Sequence, residues 1–275
     1  MLRILLLIAL LALPGALASS DKQPHGHQGI LGAYDGKPLP MKLSSVQKEK
    51  LDKGDAVTYN ERDGKSGRGV VIQDVNASMP ICMGRIRDLG NYNKMVPHVK
   101  KVNIYHTQKF MNGTSKTGAK MDIGLLGMGF GYFLLLTHEP RYNTLTWTLD
   151  YTKNSDFDDN VGHWQVQPHP SKKGWTRVLY SCKIKLFPWI PEFVIKFLTT
   201  KALTESTGWV KREAELEQSK NGDIAKVPSW FNIKGGASDI RKKLDARLAG
   251  VESDLRTQRH RLSSFVKMPK FGSRM

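Results

Sequence analysis

DLGNYNKMVPHVKKV, residues 88–102, contains the change of period that decides the fold. Running into it, Ile81, Met83, Ile86 and Leu89 recur at near-helical spacing, and Gly90-Asn91 is a helix stop. From Val99 onward Val and Lys alternate, the two-residue period of a strand with one covered face. Between the two runs stand an Asn-Tyr-Asn turn and then Met95-Val96-Pro97, an apolar pair closed by a proline. The stretch is therefore read as a crossover that tucks the chain under a sheet, with Tyr92 and Met95 either closing the fold, the preferred role, or touching the mouth of whatever that sheet encloses.

Working backward, GVVIQDVNAS (69–78) alternates Val71, Gln73, Val75 and Ala77 with Val70, Ile72, Asp74 and Asn76, which predicts a strand. Ser78 is placed to cap the following helix, with Pro80 just inside it. Residues up to Gly69 read as a polar, glycine-dotted connection, preceded by a short helix at Val46–Lys53. Working forward, VKKVNIYHTQKF (99–110) ends in an Asn112-Gly113 hairpin signal. KTGAKMDIGL, GFGYFLLLTHE, TLTWTLDYT, GHWQVQPH and GWTRVLYSCKIKL then follow as strand-like runs separated by turn material, the spacing of an antiparallel meander. Residues 189–218 change period again and place Phe193, Phe197, Ala202, Leu203 and Trp209 along one helical face, with Gly208 as an expected kink. Strand, helix, five or six antiparallel strands and a long helix make an α+β layout in which the last helix needs an apolar surface to cover.

This order, with GVVIQDVNAS, the helix and DLGNYNKMVPHVKKVNIY, resembles the START-like superfamily, in particular its polyketide cyclase/dehydrase and coenzyme-Q-binding (SRPBCC) branch. Members share a similar Asp, then Tyr-Pro-x-hydrophobic-Pro, then a Val-rich strand; Asn93 stands here where a Pro is usual. The resemblance covers residues 55–217. It implies a helix-grip fold: a curved antiparallel sheet around a long C-terminal helix, with an internal hydrophobic cavity. Members bind or carry lipids, quinones, sterols or polyketides, and some are cyclases or hydrolases, so the fold does not settle the function.

The ends carry separate signals. Met1–Ala18 has a basic start at Arg3, an apolar run at 4–13 and an Ala-x-Ala site, which predicts a signal peptide cleaved after Ala18 and a secreted or organelle-lumen protein. Residues 19–54 read as a flexible extension, in which His25-Gly-His27 could take a stray metal ion, although two histidines in a loose segment more often bind nothing. Asn112-Gly-Thr and Asn76-Ala-Ser are glycosylation sequons, Asn112 in a turn and Asn76 in a strand. Lys+Arg 42 against Asp+Glu 25 gives +17, which points to anionic partners. The secretory signal argues against nucleic acid, and an anionic membrane surface or an acidic polysaccharide is the expected partner. Residues 218–275 read as a linker and a basic tail, in which Ile240, Leu244, Leu248, Val251 and Leu255 outline an amphipathic helix. That helix would dock on its own domain, a membrane or a partner. Nothing in the sequence fixes an oligomeric state.

Chemistry is sparse. Cys82 and Cys182 show no metal spacing; an oxidising compartment permits them to pair, and the favoured reading is two free, buried thiols. There is no GxSxG, no HExxH and no cofactor motif, so no catalytic residue, metal site or cofactor is assigned. His98, His106, His138, His163 and His169 are scattered, and Asp156–Asn160 reads as a solvated turn. Gly127, Gly129 and Gly131 fall two apart on one strand face, which serves either a close helix approach or an open cavity wall. The expected cavity wall is Tyr92, Met95, those three glycines, Phe130, Tyr132, Phe133, Trp147, Trp164, Trp189, Phe193 and Phe197. The leading expectation is binding or transfer of a lipophilic small molecule without covalent chemistry. The alternatives are a cyclase/dehydrase-type enzyme using an inward His or Asp as general base, and an interaction protein acting through its basic tail helix.

Overall fold

The computed structural model describes residues 19–220; the signal-peptide and tail-helix expectations lie outside these residues. Eight antiparallel strands form one sheet in the order β1-β2-β8-β7-β6-β5-β4-β3. They are β1 Val57–Asp63, β2 Ser66–Val75, β3 Val99–Lys109, β4 Ser115–Leu125, β5 Met128–Glu139, β6 Thr144–Leu149, β7 Asp159–Pro168 and β8 Thr176–Lys185. α1 is Ser45–Asp52, α2 Met79–Arg87 and α3 Tyr92–Met95, the last two joined by a 3-10 turn at Leu89–Asn91. A final helical run comprises α4 Glu192–Phe197, a π segment Leu198–Ala202 and α5 Leu203–Lys220. This is the helix-grip arrangement: β3 to β8 are a meander, β2 joins on the far side of β8, and the long helix lies on the concave face.

Residues 88–102 do what their periods imply, carrying the chain from β2 at one side of the sheet to β3 at the opposite edge. Tyr92 and Met95 are both buried in that crossing, and the Tyr92 hydroxyl donates to the Ile86 carbonyl. Met95 seals the crossing instead of facing a cavity. Its carbonyl accepts from Arg212 Nη2 at 2.8 Å, and its sulfur lies 3.9 Å from Arg85 Nη1.

Four features depart from the sequence reading. Residues 57–63 are a strand, β1, paired to β2 through a turn with Gly64 at φ 53°; its polar, exposed faces hid it from a hydrophobic pattern. Ser78 stands at the start of α2 but its hydroxyl caps nothing. Instead α5 reaches over: Glu215 Oε1 accepts from Asn76 N–H and Gln218 Oε1 from Ser78 N–H, both at 2.9 Å. Gly208 is an ordinary position in α5, and the irregularity of the helix is the π segment that ends six residues earlier, at Ala202. A π turn takes an extra residue, so positions before and after it no longer share one face. Hence Val194 and Ile195 are buried while Phe193 is 52% exposed.

Segment 19–44, read as a flexible lead-in, is tied along β6, β7 and β8. Ile30 and Leu31 N–H donate to Asp159 Oδ2 at 2.8 and 2.7 Å, the Leu39 N–H to Gln165 Oε1 at 2.7 Å, and Thr144 Oγ1 to the Gly36 carbonyl at 2.6 Å. Leu39, Met41 and Leu43 pack with α1 over Val57, Ile72 and Leu179. A polar cluster stands on the same side of β2 and β8 as Ile72 and Leu179. Arg177 grips Asp74 at 2.7 and 2.8 Å, and His169 Nε2 reaches it at 3.0 Å. His169 Nδ1 accepts from the Ser171 and Lys172 N–H groups, which fixes the proton on Nε2.

Two glycines admit a neighbouring side chain at close range. A Cβ at Gly69 would stand 2.4 Å from Leu203 Cδ1, so β2 takes the helix at close range there. A Cβ at Gly162 would stand 1.9 Å from Trp147 Cζ2, so the indole of β6 lies flat on bare β7 backbone. Gly162→Ala is therefore expected to destabilise the chain by about 1–3 kcal/mol, the usual cost of overpacking. Urea unfolding checks this; an unchanged midpoint would show that the indole moves freely.

Candidate functional site

The concave face carries every second residue of its strands: Met121, Ile123 and Leu125 from β4, Tyr132, Leu134 and Leu136 from β5, Trp147 from β6, Asn160 and Trp164 from β7, and Tyr180 from β8. The helix covers this face incompletely, leaving a cavity of about 210 Å³ roofed by Leu198, Ala202, Ser206 and Trp209. A second space of about 150 Å³ adjoins it beneath Leu198, Thr199, Ala202 and Leu203, and shares Ile123, Tyr132, Asn160 and Tyr180 as walls. Together they fall at the lower end of the roughly 300–1,000 Å³ usual for small-molecule sites. The π segment is the roof of both, because its backbone bulges where Ala202 offers only a methyl group.

An arc of aromatic rings makes the wall. Trp147 stacks on Tyr180 with centroids 5.7 Å apart, Tyr180 meets Trp164 at 4.7 Å, Trp164 meets Trp209 at 6.1 Å and Trp209 meets Tyr92 at 5.2 Å. The arc passes from sheet to helix without a break.

Asn160 is the polar centre. Trp147 Nε1 donates to Asn160 Oδ1 at 3.0 Å and the Cys182 thiol approaches the same oxygen at 3.4 Å. Indole nitrogen is a donor only, so the atom it meets must be the oxygen and the amide orientation follows. The Nδ2 donors are left at the cavity wall with no protein partner among the described residues. The other interior groups are also donors. Burial pushes the Cys182 thiol up to about 11 and lifts the Tyr132 and Tyr180 phenols well above their usual range, so all three keep their protons. Cys82, on the buried face of α2, is likewise pushed up to about 12, and both cysteines are free thiols.

The cavity opens beside the crossing. His98, at φ 66°, pairs with Glu205 of α5 at 3.2 Å and takes the edge of the Phe197 ring at 5.1 Å. Val96, Pro97 and Val99 complete this rim with Leu198.

Of the residues expected from sequence, Tyr92, Tyr132, Trp147 and Trp164 line the cavity. Phe197 meets His98 edge-on at its rim, and Phe130 is on the inner face but packs away from it, on Phe157 and Trp189. Phe133 lies on the opposite face of β5, against Tyr105. Trp189 and Phe193 are largely exposed. The glycine stripe forms no cavity wall. Gly127 makes the β4–β5 turn at φ 85° after Leu126 at φ 51°, Gly129 faces open space, and a Cβ at Gly131 would meet Ser19 Oγ at 2.2 Å on the outer side. Asn112 is exposed in its turn, whereas Asn76 is buried beside α5, so its sequon is closed in the folded chain.

Asn160, Tyr180 and Cys182 were not legible as site residues. Asn160 was hidden in an acidic run that reads as a solvated turn. The run is buried instead: Asp156 Oδ2 accepts from Gly131 N–H at 2.6 Å, and Asp159 is closed by Tyr151, Ile30 and Leu31. An isolated glycine within the β7 run, Gly162, was the available signal that a large ring crosses there.

No protein-family model matches the sequence, and no curated protein matches it. Among solved structures, the chain is similar to a STAR-related lipid transfer protein from Xanthomonas axonopodis, at 12% identity over 66% of this chain and 99% of that one, TM-score 0.47. It is similar to a START superfamily protein from Mycobacterium smegmatis at 15% identity, over 60% and 99%, TM-score 0.44. An aromatase/cyclase from a Streptomyces species is similar at 13% identity, over 62% and 97%, TM-score 0.38.

The remaining histidines are not at the site. His138 is on the inner face of β5, buried with Nδ1 lacking a partner among the described residues, and burial together with Arg87 lowers it from 6.5 to about 4. Its folded form is therefore neutral at pH values where the unfolded chain already binds a proton. Unfolding takes up that proton between about pH 6.5 and pH 4, so stability falls as the pH drops through this window and is full above it. His163, buried under Tyr34, is lowered in the same direction. His138→Leu is expected to flatten the pH dependence of the urea midpoint over this range; an unaltered slope would assign it to other groups.

Proposed function

We propose that the chain binds one lipophilic small molecule with a hydrogen-bond acceptor, such as a carbonyl, and carries it without a covalent step. The observation that carries this reading is the combination at Asn160: an amide whose oxygen is held by Trp147 and Cys182, and whose N–H donors stand at the wall of an aromatic cavity. Apolar pockets with a few placed polar groups suit such ligands. The protonated thiol and phenols around it support binding, since none of them is a ready base. Exchange would pass the His98–Glu205 rim. The +17 charge, the signal-like composition of residues 1–18 and the exposed Trp189 and Phe193 support exchange at an anionic membrane surface in the secretory route.

The second reading is a cyclase/dehydrase-type reaction with His98, oriented by Glu205, as general base. The pair at 3.2 Å on the cavity rim favours it. His98→Gln separates the two, leaving binding intact in the first reading and removing turnover in the second.

Native mass spectrometry of the full chain from its own host is expected to reveal a bound small molecule. Titration with prodan, an apolar naphthyl ketone with environment-sensitive emission, is expected to give saturable, blue-shifted 1:1 binding. Ala202→Trp fills the space under the π segment and is expected to weaken it at least tenfold while circular dichroism stays unchanged. Equal affinity in Ala202→Trp would remove the cavity as the binding site.

A further inference from the structure

Where segment 19–44 meets the loop before β7, His25, His27 and Asp158 bring one donor atom each within 4.8 Å of one another. His25 is held there from both ends. Its backbone N–H donates to the Tyr151 carbonyl at 3.0 Å, and its Nε2 lies 2.8 Å from the Asp158 carbonyl oxygen. A carbonyl only accepts, so Nε2 carries the ring proton and Nδ1 is a bare lone pair. That Nδ1 is buried and has no partner among the described residues, on a side chain whose residue is 5% exposed. Buried acceptors of this kind are rare, and each calls for an explanation.

The surroundings supply one. His27 Nε2 lies 3.2 Å from Asp158 Oδ1, and the other carboxylate oxygen is engaged by Lys185 Nζ at 3.4 Å. His27 is partly exposed, which gives an ion a way in from solvent. The rings of Tyr151 and Phe187 stand 6.0 Å from that of His25 and shield the inner side. An imidazole that ligates through one nitrogen while donating the other N–H to a carbonyl is the usual second-shell arrangement of metal-binding histidine, and His25 already has it.

We propose that His25, His27 and Asp158 form a zinc-class divalent site that fastens the N-terminal segment to the loop before β7. Two imidazoles and one carboxylate suit zinc and its first-row neighbours, whereas calcium and magnesium take oxygen donors. Ligand bonds of about 2.0–2.2 Å would draw the three donors closer, with water in the fourth position. Coordination through His27 Nε2 moves its ring proton to Nδ1 and releases the Gly29 N–H, now bonded at 3.0 Å, to the solvent that surrounds it. Asp158 Oδ1 exchanges the His27 bond for the ion. The clip spans 131 residues of sequence, so it holds two parts of the chain that no local structure joins.

The test uses the full chain without an affinity tag and Co(II) as the probe. A saturable, intense visible absorption of four-coordinate cobalt, displaced by one equivalent of Zn(II), is expected. His27→Ala and Asp158→Asn are expected to weaken binding at least tenfold, while His106→Ala, on exposed β3, leaves it unchanged. Zn(II) is further expected to slow tryptic cleavage after Lys22 in the native chain and not in His27→Ala. Absence of a saturable cobalt spectrum at micromolar concentration, or equal affinity in a folded His27→Ala chain, would overturn the site. His27 is half-buried, so its removal reports on binding even if His25→Ala fails to fold.

Discussion

The concave face of the sheet is broader than one helix can cover, and most features of the molecule follow from that mismatch. Apolar area left in water is unfavourable by about 25 cal/mol per Å². The helix therefore settles where it can come closest, on β2, where Gly69 admits Leu203. Its polar edge is fixed by Glu215 and Gln218 at the start of α2 and by Arg212 at the crossing. Toward β4 and β5 the helix stands farther off, and the π segment spans the gap without filling it. The cavity is what remains between a fixed helix and a sheet that keeps curving.

The loop leading into β7 joins the two sides of the sheet. Successive residues of a strand point to opposite faces. Asp159 thus turns outward to Tyr151, Ile30 and Leu31, while Asn160 turns inward to Trp147 and Cys182. Just before them, Ser155 and Asp156 accept from the Phe133 and Gly131 N–H groups of β5. The residue whose amide gives the cavity its polarity is therefore the chain neighbour of Asp159, which seats the N-terminal segment and accepts from the Asn160 N–H at 2.8 Å. A shift in that segment has a short physical route to the cavity wall.

Much of the fold was legible because sheet strands repeat every two residues and each run was bounded by turn residues. The runs from Val99 to Lys185 and the crossing at 88–102 stand where the periods put them. β1 was missed because it is a polar edge strand whose faces carry no contrast. The cavity was less legible than the sheet. Aromatic residues identify a wall only when their strand face is known, so Tyr132 lines the space and Phe133, one residue on, does not. The acidic run at 156–160 looked solvated because its donors lie elsewhere in the chain, Gly131 on β5 and Ile30 and Leu31 more than a hundred residues upstream.

The sequence by itself determined the order of elements, the antiparallel pairing and an apolar interior, because these depend on local period and turn chemistry. Only the tertiary structure decided which glycines admit a neighbour, where the helix leaves its regular winding, which polar group faces the enclosed space, and that two histidines in an irregular segment meet an aspartate far along the chain. Each of these depends on what stands opposite a residue across the fold, and no periodicity along one strand or helix encodes its opposite wall.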